Sequence, residues 1–389
     1  MGRLAFAMLV LAAACKAAPK PEPVPAKPAY DKPLAPGRMA LEKITDPRQI
    51  PDFGPGLRNR EDVLHAVDES IQYYRKPSSK QRFPYLDVTH DRALRSLERF
   101  RAIFAEAFDP AEFHATLVRE FDVYRSVGCD GRGTVYFTGY CEPVYEGSLT
   151  RTDEFCWPLY GLPPDLVKDP DGTPRGRRTA GGVVPWPPRG EIEPLLAGLE
   201  LVWLRDPFEA YIVHVQGSAT IRLPDGALFK LGYAGKTDRP YRSAGQALVE
   251  AGKLKRSELS LSAMKAHFAR HPRDLRFLNV NESYVFFTPR EGGARGSINA
   301  QVTPYATLAT DKAVFPAGAL TYVATKLPWS GDYRAFALDQ DAGGAIRSAG
   351  RADLFIGTGP EAERVAGHVG SEGKLYYLFL KEEPAASAR

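Results

Sequence analysis

Residues 339–359 read D-Q-D-A-G-G-A-I-R-S-A-G-R-A-D-L-F-I-G-T-G. Two carboxylates in this stretch sit where backbone geometry is constrained. Asp341 precedes Gly343 and Gly344, a pair that lets main chain approach a ligand closely, and Asp353 lies in an apolar strand that ends at Gly357 and Gly359. Leu354 and Phe355 exclude water beside Asp353, which raises a carboxyl pKa, and a second nearby carboxylate raises it further. A carboxylic acid kept protonated beside a leaving oxygen, with electrostatic support for an oxocarbenium-like centre, is what cleavage of a glycosidic bond needs. The bland reading of the same residues is that both acids cap Gly-rich turns; composition alone leaves the two open.

Working outward, residues from Ser283 to Leu380 read as strands joined by tight Gly-rich turns. Upstream, short β runs are expected at Thr134–Tyr140, Leu201–Asp206, Ala210–Gln216, Thr220–Leu223 and Leu228–Tyr233. Pro224, Asp225 and Gly226 form a hairpin turn signal between the last two. The stretch from Pro163 to Pro188, dense in Gly, Pro and Arg, reads as a long loop, and Ser257 to Arg270 as a helix. From Leu57 to Phe113 the apolar spacing is helical: Leu94, Leu97, Phe100, Ile103 and Phe104 share one face. With 35 Gly and 33 Pro in 389 residues, a mainly β protein of two domains is expected. A formal net charge of +4 without a Lys/Arg block leaves little electrostatic footprint for nucleic acid.

The N-terminus, Met1-Gly2-Arg3 followed by an apolar stretch from Leu4 to Ala14, is too short to span a bilayer and reads as a signal peptide. Leu11, Ala12, Ala13 and Ala14 before Cys15 resemble a bacterial lipobox, in which the Cys thiol becomes the acylated N-terminus. Ala12 stands where Leu is usual, so lipidation of Cys15 and plain secretion both remain open. Residues 16–36, rich in Pro, Ala and Lys, read as a semi-rigid tether. Of the four cysteines, three remain once Cys15 is set aside. In an oxidising compartment one pair and one leftover is the natural reading, with Cys129 and Cys141, flanking an apparent turn and strand, as the favoured pair. No metal site is expected, since three cysteines without CxxC spacing and seven histidines without HExxH do not supply the four ligands of structural zinc.

The run D-A-G-G-A-I followed by R-A-D-L-F-I-G-T-G resembles the C-terminal three-aspartate (3D) domain of the membrane-bound lytic murein transglycosylase A family. Further blocks of that family's kind follow in chain order: T-G-Y-C-E-P at Thr138–Pro143, P-L-Y at Pro158–Tyr160, L-V-W-L-R-D-P at Leu201–Pro207 and V-Q-G-S at Val215–Ser218. G-Y-A-G at Gly232–Gly235, P-Y-R-S at Pro240–Ser243 and N-E-S-Y-V-F-F at Asn281–Phe287 complete the series. Each block is weak alone; their colinearity carries the resemblance.

The resemblance implies N-terminal helices and a double-psi β-barrel domain, residues 37–145 and 276–381, interrupted by a smaller inserted β domain, residues 146–275, with a glycan groove between them. It implies that Asp353 is the acid/base, that Asp341 and Asp311 are the other two aspartates, and that Thr138, Gly139 and Tyr140 line the groove. Gln216, Tyr241 and Ser243 would face it from the insert, and Gly343 and Gly344 would bring backbone to the glycan, although Tyr140 and Tyr241 read equally as packing aromatics. The implied reaction splits the muramic acid–glucosamine bond of peptidoglycan and closes a 1,6-anhydro ring, without a cofactor. A monomer at the periplasmic face of the outer membrane, or free in the periplasm, is expected. Three departures bear on substrate contacts: Cys141 replaces a second tyrosine of T-G-Y-Y-E-P, T-P-Y-A-T-L-A-T-D before Asp311 lacks a common Arg-Ser pair, and A-G-K-T-D replaces A-G-Q-N-G. Two other classes stay open, a hydrolytic glycosidase using Asp341 with Asp353 and a non-catalytic wall-binding lipoprotein.

Overall fold

A short strand β1 (Leu41–Lys43) is followed by three helices, α1 (Arg60–Tyr74), α2 (His90–Glu106) and α3 (Pro110–Glu120). These come from a computed structural model that describes residues 29–170 and 172–382. The helix starts are legible as chemistry: Thr89 accepts from the Arg92 amide at 3.1 Å, and Asp109 precedes Pro110 and accepts from the Ala111 amide at 2.7 Å. The apolar faces of the helices converge on one ring. Phe336 meets Phe53, Phe100, Phe104, Phe113 and Tyr322 with centroids 4.8–5.9 Å apart. Burying each such side chain contributes about 1.5–3 kcal/mol, so the helices are held to the sheet largely through this cluster. Gln340 adds a polar tie, donating to the Ala66 carbonyl at 2.7 Å and to Ser70 Oγ at 3.0 Å.

The chain continues as β2 (Phe121–Ser126) and β3 (Val135–Glu142), then enters a second region. That region holds β4 (Val144–Ser148), β5 (Trp157–Tyr160), β6 (Leu166–Lys168), β7 (Pro174–Thr179), β8 (Gly182–Val184), α4 (Arg189–Ile192) and β9 (Glu200–Leu204). It continues through α5 (Pro207–Gln216), β10 (Ala219–Arg222), β11 (Leu228–Lys236), α6 (Ala244–Glu250), α7 (Leu261–Arg270) and β12 (Val285–Pro289). The chain then returns through β13 (Thr307–Ala309), β14 (Leu320–Leu327), β15 (Gly331–Asp341), β16 (Arg351–Thr358), α8 (Pro360–Ala366) and β17 (Gly370–Leu380).

The first and last segments share an eight-stranded sheet, ordered β1-β2-β17-β14-β15-β13-β16-β3. Because β3 also pairs with β17, six of these strands close on one another around a core that includes Leu308, Val323, Leu338, Leu354 and Leu378. The middle segment builds its own six-stranded sheet, β12-β11-β10-β4-β9-β5, over a separate core. The architecture is thus β-rich, with one sheet domain interrupted by another.

Several expectations need correction. Ala210–Gln216 is helical, not a strand: Asp206 and Pro207 start α5, with Asp206 Oδ1 accepting from the Phe208 and Glu209 amides at 2.7 and 3.1 Å. Residues 208 and 210–214 are all buried, so the helix shows no polar face to betray its period. The expected loop from Pro163 to Pro188 contains the three-stranded sheet β6-β7-β8, whose β8 is exposed along its length and so carries no apolar alternation. The insert does not end at 275, because β12 pairs antiparallel with β11 and belongs to the second sheet. The tether does not extend to Pro36 either: Tyr30 stacks on Tyr136 at 4.5 Å, and its hydroxyl donates to Glu372 at 2.6 Å. Residues 1–28, including the signal segment and Cys15, lie outside the described residues.

The Cys129–Cys141 pair is not formed; Cys129, Cys141 and Cys156 are free thiols. Cys129 donates its amide to the Thr134 carbonyl at 2.9 Å, before β3, and Cys141 is buried near the far end of that strand. At roughly 3.3 Å per residue the intervening strand holds them about 20 Å apart, far beyond disulfide reach.

Candidate active site

The sheet register brings the sequence-predicted acids together. Ala309 in β13 is the register partner of Asp341 on β15 and of Asp353 on β16, and Asp353 is in turn the partner of Thr138 on β3. Asp341, Ala309, Asp353 and Thr138 therefore form a row across four neighbouring strands. Two strand spacings separate the aspartates, roughly 10 Å between Cα atoms.

Asp353 is half-buried, and its Oδ1 is shut off from solvent without a hydrogen-bond partner among the described residues. Its pKa is pushed up to about 6, mainly by burial; the Thr138 hydroxyl and the Arg351 guanidinium oppose the rise, and the negative charge of Asp341 adds to it. Arg351, two residues earlier and therefore on the same strand face, donates to Thr138 Oγ1 at 3.2 Å. This residue was not singled out from sequence, although the i, i+2 rule could have found it.

Asp341 is held from below. Its Oδ1 accepts from the amides of Ser297 and Ala342, each at 2.8 Å. Burial raises its pKa, while these amides and the neighbouring Tyr140 hydroxyl pull against the rise. The Tyr140 hydroxyl is itself buried, and among the described residues no acceptor meets ordinary hydrogen-bond geometry; it stands beside Asp341 without closing the bond. Its ring packs on Phe355 at 5.1 Å, which bears out its reading as a packing aromatic.

The remaining residues divide. Gly343 and Gly344 follow Asp341, and a Cβ on Gly344 would meet the Tyr241 ring of the second domain at 3.8 Å, so the two domains approach there. Tyr241 is 37% exposed, enough for its ring to face a ligand. Asp311 holds loops together: its Oδ1 accepts from the Ala313 amide at 3.0 Å and its Oδ2 from the Ser348 amide at 2.7 Å. Ser243 caps α6, accepting from the Gln246 amide at 3.2 Å, and Gln216 ends α5; no contact brings either to the aspartates. Gly139 is required by packing, since a Cβ there would stand 2.9 Å from Val369 and 3.0 Å from Ala366 in and after α8. A fourth acid, Asp339, is fully buried and paired with Lys312; Tyr377 and Thr310 donate to it at 2.8 Å, a core network rather than a reacting group.

Also missed from sequence was Glu142, at the end of β3, which forms a buried ion pair with Arg290, just past β12. These residues stand where the chain enters and leaves the second domain.

A half-buried carboxylic acid with a raised pKa, in register with a second aspartate on a sheet domain that another sheet domain interrupts, defines the class: 3D-domain proteins with an inserted β domain. Residues 136–288 match the MltA-specific insert domain, and residues 306–379 match the 3D domain. The chain belongs to the membrane-bound lytic murein transglycosylase A family. It is 31% identical to membrane-bound lytic murein transglycosylase A of Escherichia coli K12 over 287 residues, covering 69% of this chain and 72% of that one. The Vibrio cholerae protein of the same name is 32% identical over 271 residues, 66% and 68% of the two chains. Among solved structures, a membrane-bound lytic murein transglycosylase from Agrobacterium tumefaciens superimposes with a TM-score of 0.74 at 26% identity, covering 88% of this chain and 98% of that one.

Proposed function

We propose that Asp353 is the single acid/base of a non-hydrolytic cleavage of peptidoglycan glycan strands. Family membership makes the chain a peptidoglycan lytic transglycosylase of the cell envelope; the chemistry and the residue roles are our reading. The observation that carries it is the Asp353 carboxyl, half-buried, with one oxygen unpartnered and a pKa near 6, in register with Asp341 and Thr138.

Asp353 gives its proton to the oxygen linking muramic acid C1 to glucosamine O4, and the C1–O4 bond breaks. The carboxylate so formed takes the proton from the muramic acid C6 hydroxyl as O6 bonds to C1. Asp353 ends as it began, and the products are a glucosamine 4-hydroxyl and a 1,6-anhydro ring. Because the nucleophile belongs to the substrate, the second step is effectively unimolecular, which lowers the barrier by several kcal/mol, up to roughly ten. Asp341, fixed by two amides, gives electrostatic support to the cationic centre, and Thr138 and Tyr140 hold the sugar.

The glycan lies in the cleft between the two sheets, with Tyr241 and the Gly343–Gly344 backbone on opposite walls; a structure of the E. coli relative carries bound chitohexaose. We read the closed six-strand circuit, with its parallel β13–β15 and β16–β3 pairs, as a double-psi β-barrel. Attachment to the outer membrane through Cys15 and action as a monomer complete the proposal. Among the described residues no helix is long and apolar enough to cross a membrane.

The test is digestion of purified sacculi by wild type and Asp353→Asn, with product masses. The wild type should release fragments ending in anhydro sugars, and the variant, folded, should release none. Near-wild-type turnover by Asp353→Asn would remove the assignment; reducing ends alone would convert the reaction to hydrolysis.

A further inference from the structure

Beside Asp341 a cleft of about 370 Å³ is lined by four segments distant in sequence: Arg82 from the helical region, Thr173 from the second domain, and the stretches around Lys312 and Gly343–Arg347. Three of these side chains are cationic. Lys312 is committed to Asp339 and donates to Thr310 at 3.0 Å. Arg82 uses one nitrogen on the Lys312 carbonyl at 2.9 Å and keeps the rest of its guanidinium exposed. Arg347 is exposed, and no carboxylate lies within ion-pairing distance of it among the described residues. The acid that lines the cleft, Asp311, has both oxygens engaged by backbone amides.

Two arginines, Arg82 and Arg347, thus line one recess next to Asp341 with no ion-paired carboxylate on either among the described residues. Such an arrangement concentrates anions. We propose that Arg347 and Arg82 form an anion subsite for carboxylates carried on the lactyl arm of muramic acid, next to the Asp341–Asp353 site. The inference rests on the glycan-cleaving reading above. Two sources supply that chemistry: the acidic groups of a peptide stem joined to the lactyl arm, and the free lactyl carboxylate left when the stem is removed. Either would lie alongside the glycan with its charge toward Arg347 and Arg82.

The experiment measures binding, kept separate from turnover by using full-length Asp353→Asn protein. Its affinity is compared with that of the same protein carrying Arg82→Gln and Arg347→Gln, on three probes: stem-bearing glycan fragments, amidase-stripped fragments with free lactyl carboxylates, and uncharged chitohexaose. The expected result is about tenfold weaker binding of charged fragments, a change of about 1.4 kcal/mol, with chitohexaose unaffected. Added salt should remove the advantage that the charges confer. Loss confined to stem-bearing fragments assigns the subsite to peptide carboxylates, loss confined to stripped fragments assigns it to the free lactyl carboxylate, and loss on both shows that it takes either. Undiminished binding of both charged probes, or an equal loss on chitohexaose, would overturn the proposal. Failure of the Asp353→Asn protein to bind any of the three would instead strike at the glycan reading itself.

Discussion

At Asp353 the requirements of chemistry and of stability oppose each other. In the unfolded chain the carboxyl titrates near 3.8, and in the fold near 6, chiefly because burial disfavours the ionised form. A native pKa raised above the unfolded value means that the contribution to stability is complete below about pH 4 and is lost as pH rises through about 6. Above that point, holding the ionised group costs the native state on the order of 3 kcal/mol. Asp353→Asn should therefore melt higher than wild type at pH 7.5 and match it near pH 4, a difference that thermal unfolding at the two pH values reads directly. With Asp353 as the acid, as proposed, the same titration sets the rate: a general acid works while protonated, so cleavage should fall about tenfold per pH unit above roughly pH 6. A flat pH–rate profile between 5 and 8 would mean that another group gives the proton.

Elements differ in how much of themselves they declare in sequence. The helices around Phe100 were readable because one face is apolar and the other wet, and the β10–β11 hairpin because Pro224-Asp225-Gly226 can do little else. The acids of the site were readable as residues, since Asp353 lies among apolar neighbours and Asp341 before two glycines. Their alignment was not, because register across β15, β13 and β16 depends on partners far apart in sequence. α5 escaped because burial on all sides erases periodicity, though its Asp206-Pro207 start was in plain view. Cys141 misled because two thiols flanking an apparent turn and strand suggest pairing, while the extended strand keeps them apart. Gly139 shows a different limit. It reads as groove backbone, whereas its hydrogen faces α8, where Val369 and Ala366 leave no room. Gly139→Ala should therefore destabilise by about 1–3 kcal/mol through overpacking. The check is the denaturant midpoint, and an unchanged midpoint would return Gly139 to the groove.

At the scale of the molecule, one ion pair stands at the passage between domains. Glu142 ends β3 and Arg290 follows β12, so their side chains join the strand entering the second domain to the strand leaving it. Arg290 also donates to the Leu231 carbonyl at 3.2 Å, and Glu142 accepts from Thr220 at 3.4 Å and from Thr358 at 3.3 Å. Thr358 closes the strand that carries Asp353, so the pair links the wall bearing the acid to the sheet that leads, through β11, to Tyr241. With side chains only 3% and 9% exposed, removing one partner leaves a buried charge uncompensated. Glu142→Gln should cost about 3–5 kcal/mol, whereas replacing both, Glu142→Leu with Arg290→Met, should recover most of that loss because neither desolvated charge remains. Stability and activity should then part. The double variant, near wild type in its unfolding midpoint, should cleave sacculi at least about tenfold more slowly, since small misplacement of an acid relative to bound substrate is expensive in rate. A double variant as unstable as the single would show that the two side chains do not act as a pair, and one that is both stable and fully active would confine the pair to holding the fold.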